Sequence, residues 1–559
     1  MVKIKLDLEK AALIVFFAVF LFIGPGALFD HRIKHDFPYA YFSSDSFQHQ
    51  TRAEAIKDAG NFRYEAPYII KGFKDAVGIY PPAIYHLAAV LSYSAGIEVY
   101  DSIYFLVVFF AIIASCIMYL VIRNFNKTVA LLSLPMSLLI LSSPPATGFL
   151  WGHWPSVLSQ SFLIFFFWSI IRIDLDKSWI IIAVAMSAVF LTHTSEAIFA
   201  ILFLAMFFGA KLIGKSLSKQ DIRGIALSFG AFFALSFYYI VIFLNTWAKA
   251  QPFSFAVEPV WNGNPGFYIA GFGLLLIPIV FGLIFSLPKL KEAHVSVILA
   301  FAMLIAGLLN YIGFGLRSFQ IRFFWPIYLS VLFGFGVYII GKPIIKKWNF
   351  AYSSFVFIVL IAAFSGFMKL PVLKQTDVQA IPYIPQVSIA ANSGIMDPFH
   401  WEALNWLADN SEDNATMYFF YGDIYSQDAL LRNAKRVHYQ VDPGDFINSI
   451  QERKIKKVYI TELPGDTGGT ISHRVSFFKF EDYAGTVPVE FHFGPKDICG
   501  FGYYVFDKVS RQEALAQYNL LIAQELLKKE YINPVFENQV VAILRNNNVG
   551  GDCIEERIF

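Results

Sequence analysis

Long apolar runs are the feature that most constrains the fold of this chain. A helix of about 20 apolar residues is long enough to cross the hydrocarbon core of a bilayer. The chain has 559 residues, of which 56% are hydrophobic and 15% charged, so a water-soluble core could not bury all of its apolar surface. The sequence therefore predicts a polytopic α-helical protein of the cell membrane. Its eleven predicted spans are residues 11–29, 103–122, 128–147, 157–171, 178–194, 196–211, 224–247, 267–287, 294–315, 323–341 and 350–369.

One further apolar stretch, residues 83–97, is too short and too polar to be a span. It follows Pro81-Pro82, and it contains His86 together with several Ser and Tyr residues. Stretches of this length are more typical of re-entrant or interfacial segments. We therefore expect a short helix here that does not cross the membrane.

The distribution of positive charge predicts the orientation of the chain. With a cytoplasmic N-terminus and 83–97 not spanning, the cytoplasmic segments hold sixteen Lys and Arg, and the short outer loops hold three. Positive residues concentrate on the cytoplasmic side of membrane proteins. The C-terminus is then extracytoplasmic, and the first apolar run is expected to be a retained signal anchor.

The composition changes near residue 376, where an ordinary soluble domain is predicted to begin. We expect a transmembrane domain over 1–375, with its first outer loop at 30–82, and an extracytoplasmic domain over 376–559. Strand patterns at 457–460, 503–506 and 539–544, with helical patterns at 400–407 and 510–530, predict an α/β or α+β fold.

Two further features bear on partners and cross-links. Cys499 and Cys553 lie in the predicted outer domain, where they could form a disulfide or remain two thiols. The net charge of +2 gives no indication of a nucleic-acid partner.

Polar and ionisable residues gather on the predicted outer face. Ionisable side chains are costly at membrane depth, so a group of them indicates a functional site. The candidates are Asp45, His49, Tyr80, His86, His153, His193, Glu196, Glu258, Arg317 and Arg322.

Several of these candidates also have a structural interpretation. Asp45 could cap a helix, and His153 could belong to an interfacial belt with Trp151 and Trp154. His193 and Glu196 could satisfy each other at a helix end. The arginines could reach lipid headgroups. Because these residues are all predicted to lie on the outer face, we favour the functional interpretation over the structural one.

Residues 45–52 contain the pattern Asp-x-x-x-His-x-x-Arg. This pattern resembles the first-loop motif of oligosaccharyltransferase catalytic subunits, which belong to the GT-C superfamily of polytopic glycosyltransferases. Residues 78–82 (Gly-Ile-Tyr-Pro-Pro) and 400–410 are also similar to that group. The resemblance covers the whole layout of the chain, but only these short stretches of sequence.

The resemblance implies a GT-C-like fold and a sugar donor carried on polyprenyl phosphate or diphosphate, such as dolichol phosphate. The acceptor would be a glycan, a lipid or a protein. By analogy Asp45 is the catalytic residue, with His49 beside it. The residues expected to bind substrate are Arg322, Arg317, His153, Tyr80, His86 and Glu258. A divalent cation, Mg or Mn, is the one cofactor suggested, with Asp45, His193 and Glu196 as candidate ligands.

Two departures from the oligosaccharyltransferase pattern limit what it implies. The stretch 418–425 lacks the Trp-Trp-Asp-Tyr-Gly motif, and the second outer loop offers His153 where those enzymes have an acidic pair. Transfer to Asn sequons and dependence on a metal are therefore less expected. Two other classes stay open: a transporter or lipid flippase, and a non-catalytic membrane assembly protein.

Overall fold

A computed structural model of the protein divides it into two compact units. The helical unit comprises Met1–Lys34 and Gly78–Asn392, and the mixed unit comprises His35–Val77 and Ser393–Phe559. The structure describes residues 7–28, 36–39, 41–60, 80–245, 272–309, 321–368, 382, 395–420, 422, 424–425, 428–440, 455–466, 472–480, 486–492, 500–509, 516, 519–520, 523–524 and 526–550. The predicted domain boundary at residue 375 lies outside these residues and stays a prediction.

Most of the described residues are helical. The α-helices are α1 (Leu8–Leu28), α2 (Ser44–Ala59), α3 (Ala83–Ala95), α4 (Val99–Phe125), α5 (Lys127–Ser133), α6 (Ser143–Leu150), α7 (Trp154–Ile170), α8 (Ser178–Thr192), α9 (Glu196–Ile213), α10 (Lys219–Asn245), α11 (Leu276–Ser286), α12 (Val295–Leu308), α13 (Ile321–Tyr328), α14 (Ser330–Gly341), α15 (Phe350–Phe364), α16 (Pro398–Asn410) and α17 (Asp428–Leu431). Short 3-10 helices span Leu134–Leu141, Gly273–Leu275, Leu287–Glu292 and Arg432–Ala434.

Among the described residues, the strands all lie in the mixed unit. They are β1 (Thr416–Phe419), β2 (Val437–Gln440), β3 (Ile455–Asp466), β4 (Ser472–Phe480), β5 (Thr486–His492), β6 (Tyr503–Asp507), β7 (Ile532–Glu537) and β8 (Val541–Asn546).

The helical unit has the composition of a multi-pass membrane protein. Among the described residues, four helices are long and apolar enough to cross a bilayer, namely Val99–Phe125, Glu196–Ile213, Lys219–Asn245 and Gly273–Glu292. Seven more apolar helices have 10 to 17 residues. The predicted count of eleven spans stays a prediction.

Prolines accompany the break of one predicted span into shorter helices. The stretch 128–147 is not one helix, because a 3-10 segment beginning at Leu134 separates α5 from α6. Pro135 lies at the start of that segment, and Pro144 and Pro145 follow in the first turn of α6. Proline removes a backbone donor and disfavours helix in the residue before it.

The short helix expected at 83–97 is present as α3. Its 13 residues rise about 20 Å, less than the hydrocarbon thickness. Pro82 precedes it, and Gly96 ends it with a left-handed backbone (φ +65°), a conformation that glycine adopts without strain. Its interfacial location stays a prediction.

The described strands of the mixed unit form two sheets. The five-stranded sheet has the order β2-β1-β6-β8-β7, in which β1 runs parallel to β2 and β6, and β8 is antiparallel to β6 and β7. The other sheet is antiparallel, in the order β3-β4-β5. The presence of both helices and sheets confirms that this unit belongs to a mixed class, as the predicted α/β or α+β fold requires.

Sequence patterns located several of these elements. The predicted strands at 457–460 and 503–506 lie in β3 and β6, and the last one overlaps β8. The helix predicted at 400–407 is α16, whose N-cap Asp397 accepts hydrogen bonds from the backbone amides of Phe399 and His400. Much of 510–530 lies outside the described residues, as do Cys499 and Cys553, so both alternatives for these cysteines, a disulfide or two thiols, stay open.

Candidate functional site

The N-terminal ends of α7, α9 and α13 meet at one corner of the helical unit. Ser156, in the first turn of α7, donates a hydrogen bond of 2.6 Å to Glu196, the first residue of α9. His153, the N-cap residue of α7, stacks on Phe323 of α13 with ring centroids 5.2 Å apart. We call this region the N-terminal corner. Each helix N-terminus carries partial positive charge, so the corner favours negative groups.

A chain of buried hydrogen bonds runs through this corner. Tyr328 Oη donates to Gln160 Oε1 at 3.2 Å, and Gln160 Nε2 donates to Ser156 Oγ at 3.1 Å. Ser156 in turn donates to Glu196, whose other carboxylate oxygen is in contact with His193 Nδ1. We call these five residues the polar chain.

The polar chain has one partly exposed end. Glu196 is fully buried, whereas the side chain of His193 is 16% exposed. His193 is the C-cap of α8, with an extended backbone, and Glu196 begins α9 three residues later. The two residues therefore contact each other, as one of the structural interpretations predicted.

The aromatic residues of the corner differ in their surroundings. Trp154 is fully buried, and its Nε1 donates to the backbone oxygen of Phe149 at 2.6 Å. Trp151 is 42% exposed. Trp154 is thus a core residue of the helical unit, so the interpretation of both tryptophans as an interfacial belt is wrong for Trp154.

The predicted catalytic aspartate lies in the mixed unit, on α2. The N-cap of α2 is Ser43, so Asp45 is not the capping residue. Asp45 is exposed and lies in the first turn, where the helix N-terminus stabilises negative charge. His49 follows one turn later and is buried. The spacing of four places the two residues on one face of α2, as expected.

The helix α2 is tied to the C-terminal part of the mixed unit. Lys435 Nζ lies 2.7 Å from Asp58 Oδ2 and 3.5 Å from Glu54 Oε1. The backbone amide of Ile395 donates to the backbone oxygen of Tyr41 at 2.9 Å. These contacts join the first predicted loop to the C-terminal domain, a link that no local pattern in the sequence indicated.

The other predicted site residues belong mostly to the helical unit. Tyr80 precedes α3 and His86 lies within it, and both are half-buried. Arg322 is the second residue of α13, so its backbone lies next to Phe323 at the N-terminal corner. Arg317 and Glu258 lie outside the described residues.

The metal hypothesis finds little support in the part of the chain that the structure describes. There, no three His, Cys, Asp or Glu side chains come close enough to hold a metal ion. Both carboxylate oxygens of Glu196 already contact protein groups. Among the described residues, His193 and Glu196 therefore contact each other but do not belong to a cluster of three such side chains.

Sequence reasoning missed a second carboxylate–imidazole cluster, which surrounds the buried His400 in the mixed unit. His400 Nδ1 lies 2.5 Å from Asp397 Oδ2, and its Nε2 lies 3.7 Å from Asp507 Oδ2. Burial by itself would lower the pKa of His400, but the two carboxylates outweigh it and raise the pKa to about 9. Only the Asp397–His400 spacing was visible in the sequence.

Several solved structures with a similar fold are glycosyltransferases of the GT-C type. ArnT from Cupriavidus metallidurans, bound to undecaprenyl phosphate, has a TM-score of 0.52 at 11% identity, covering 97% of this chain and 99% of its own. The arabinofuranosyltransferase AftD from Mycobacteria has a TM-score of 0.53 at 13% identity, covering 98% and 40%. The apo oligosaccharyltransferase of Archaeoglobus fulgidus has a TM-score of 0.51 at 11% identity, covering 78% and 65%.

These similarities confirm the predicted GT-C resemblance at the level of the fold. The chain spans only 65% of the length of the Archaeoglobus fulgidus enzyme. No curated protein sequence matches the chain. A family model described as "Family of unknown function (DUF6541)" matches residues 2–309.

Proposed function

This chain belongs to the DUF6541 family, a family of unknown function, and we propose that it is a membrane glycosyltransferase using a polyprenyl-phosphate or polyprenyl-diphosphate sugar. The observation that carries the proposal is the N-terminal corner, which joins three helix N-termini, one of them in the helix that bears Arg322, to the partly buried Glu196–His193 pair. The GT-C fold supports the same class of reaction, although a shared fold alone is a weak argument for function.

The corner suits the phosphate of a lipid-linked donor. Helix N-termini attract phosphate through their backbone amides and partial positive charge. A guanidinium group such as that of Arg322 matches phosphate oxygens with paired, charge-assisted hydrogen bonds. We assign Arg322 to the donor phosphate, with Arg317 as a second candidate. His153, Tyr80, His86 and Glu258 stay predicted contacts of the substrates.

The acceptor is activated, in this proposal, by Asp45. The acceptor oxygen forms a bond to the anomeric carbon of the sugar, and the bond from that carbon to the phosphate oxygen breaks. The bonding electrons leave with the phosphate, and the acceptor proton moves to the carboxylate of Asp45. Asp45 is exposed on the first turn of α2, and His49 lies beside it on the same helical face.

The test compares wild type with Asp45→Asn in the full chain, reconstituted in lipid vesicles with radiolabelled polyprenyl-phosphate and polyprenyl-diphosphate sugars. We expect wild type to transfer sugar, and Asp45→Asn to transfer at least about 10²-fold more slowly, since general base catalysis is worth that much. Asparagine keeps the shape of the side chain and removes its charge.

Asp409→Asn is the matched control, because Asp409 is an exposed aspartate in the same unit, on α16. It should transfer at the wild-type rate. Equal rates in wild type and Asp45→Asn would remove Asp45 from the chemistry. If wild type transferred sugar from neither donor, the proposed transferase function would be excluded. A transporter or a membrane assembly protein would then become the leading functional class.

A further inference from the structure

We propose that Lys435 is a positioning residue, which holds helix α2 so that the carboxylate of Asp45 keeps its place. The inference rests on the proposed function and deepens it, because it names what orients the proposed catalytic base. Lys435 lies far from Asp45 in the sequence, between the 3-10 helix Arg432–Ala434 and β2. A base displaced by about 1 Å can cost about 10²-fold in rate, so its support matters to the reaction.

Helix α2 is a buried helix of polar composition. Every residue from Ser46 to Ile56 is buried or half-buried, yet Phe47 and Ile56 are the only large apolar side chains of the helix. Stabilisation by the hydrophobic effect is proportional to the apolar area that is removed from water. Apolar packing therefore stabilises α2 only weakly, and its position depends on specific polar contacts.

Lys435 supplies such a contact in the C-terminal half of α2. Its Nζ lies 2.7 Å from Asp58 Oδ2 and 3.5 Å from Glu54 Oε1. The two carboxylates are four residues apart, so they lie on one face of the helix. Burial by itself would lower the pKa of Lys435, but the two carboxylates outweigh it and raise the pKa above its ordinary value. The ammonium group therefore stays charged and bridges both acids.

The backbone around Lys435 is fixed by its neighbours in the mixed unit. Lys435 ends the 3-10 helix in the left-handed region (φ +53°), where glycine is the usual residue. The next residue, Arg436, is buried, and its guanidinium group donates to the backbone oxygens of Ala408 and Ser411 at 3.0 and 2.7 Å, at the end of α16. Lys435 therefore joins α2 to a part of the unit that is itself held in place.

The ion pair acts on the side of α2 that faces away from Asp45. Glu54 follows Asp45 by nine residues, about two and a half helical turns, so the two carboxylates lie on opposite faces. A second contact holds the other end of the helix, where the ring of Phe47 packs on Tyr41, whose backbone oxygen accepts a hydrogen bond from the amide of Ile395. With both ends held, α2 has a fixed position and direction. The ion pair thus positions Asp45 and takes no part in the chemistry.

The experiment uses the full chain in lipid vesicles with the radiolabelled polyprenyl-phosphate and polyprenyl-diphosphate sugars. It measures kcat and the donor KM for Lys435→Met in two backgrounds, wild type and Asp45→Asn. Methionine keeps much of the apolar length of the side chain and removes its charge. Lys508→Met is the matched control, because Lys508 pairs with Glu537 at 2.8 Å and its side chain is 32% exposed, as is that of Lys435.

In the wild-type background, Lys435→Met should lower kcat by at least about fivefold and leave the donor KM within about twofold, because the geometry of the base changes and donor binding does not. In the Asp45→Asn background, the same change should slow transfer less than about twofold, since no carboxylate is left to position. A residue that only stabilised the fold would slow both backgrounds equally. Lys435→Arg should recover most of the rate because it keeps the charge, and Lys508→Met should behave as wild type.

Hydrogen exchange provides a second readout, which needs no turnover. The backbone amides of residues 47–59 should exchange at least about threefold faster in Lys435→Met than in wild type, because α2 opens more often once its charged partner is lost. The amides of β8, an interior strand of the five-stranded sheet, should exchange at the wild-type rate.

An unchanged kcat in Lys435→Met would overturn the inference, and so would equal slowing in the two backgrounds or unchanged exchange in α2. If Lys435→Met does not fold, Asp58→Asn takes its place with the same expectations, because Asp58 is the more exposed partner of the ion pair. Wild type that transfers no sugar would instead refute the proposed function. An active wild type with an unaffected Lys435→Met would refute this inference alone.

Discussion

At the scale of single residues, two buried ionisable side chains each have a partner that lies far away in the chain. Glu196 is bound by Ser156 of another helix, and His400 lies between Asp397 at the start of its own helix and Asp507 at the end of β6. In each case the cost of removing a charge from water is offset by an opposite charge or by hydrogen bonds. Removing only one member of such a pair should therefore destabilise the protein more than removing both members.

The pKa of His400 predicts how stability changes with pH. The pKa is about 9 in the folded state and near the ordinary 6.5 in the unfolded chain. Because the folded-state value is raised, the stabilisation is fully present below pH 6.5 and is lost as the pH rises through 9. The shift corresponds to at most about 3 kcal/mol.

Thermal unfolding of the full chain in detergent, followed between pH 6.5 and pH 9.5, checks this prediction. Wild type should lose more stability over that range than His400→Gln, because glutamine does not titrate. Parallel curves for the two proteins would show that His400 does not link protonation to folding.

At the scale of elements, close approach of helix backbones decides where glycine is required. A Cβ atom on Gly336 of α14 would overlap the backbone oxygen of Pro278 in α11, and one on Gly282 of α11 would overlap that of Leu332. Small residues allow such contact between membrane helices. By contrast, a Cβ atom on Gly230 of α10 meets nothing within 4 Å.

We expect Gly336→Ala to destabilise the protein by about 2 kcal/mol, because the added methyl group must separate α11 from α14. Gly230→Ala, the matched control, should be neutral or stabilising by up to about 1 kcal/mol, since alanine favours helix. The midpoint of thermal unfolding in detergent measures both. A normal midpoint for Gly336→Ala would mean that the two helices separate easily.

At the scale of the whole molecule, the distribution of Lys and Arg predicts which side of the membrane each loop occupies. The segment 211–223 is predicted to be cytoplasmic, and the C-terminal domain extracytoplasmic. Ser216 and Asn414 are exposed residues in these two regions, so they are suitable positions for a topology test.

In a variant whose natural cysteines are replaced by serine, Asn414→Cys should react with a membrane-impermeant thiol reagent in intact cells. Ser216→Cys should react only after the cells are permeabilised. The measurement is the labelled fraction of each variant, and the opposite pattern would reverse the predicted orientation.

Local patterns in the sequence located most of the elements and supplied the candidate residues. The apolar runs correspond to helices such as α4 and α10, and the spacing of Asp45 and His49 does place them on one helical face. The break at Pro135 carried a local signal as well, since proline interrupts helices, but apolarity alone obscured it.

The sequence by itself therefore determined the membrane class, the existence and position of the helices, and a set of candidate residues, because apolarity, periodicity and turn residues act over a few positions. Only the tertiary structure decided that Gln160 accepts a hydrogen bond from Tyr328, 168 residues away, and that Lys435 forms an ion pair with Asp58 of α2. Such contacts depend on how the helices pack. Packing is the sum of many small interactions between residues that are far apart in the sequence, and no short segment contains those interactions.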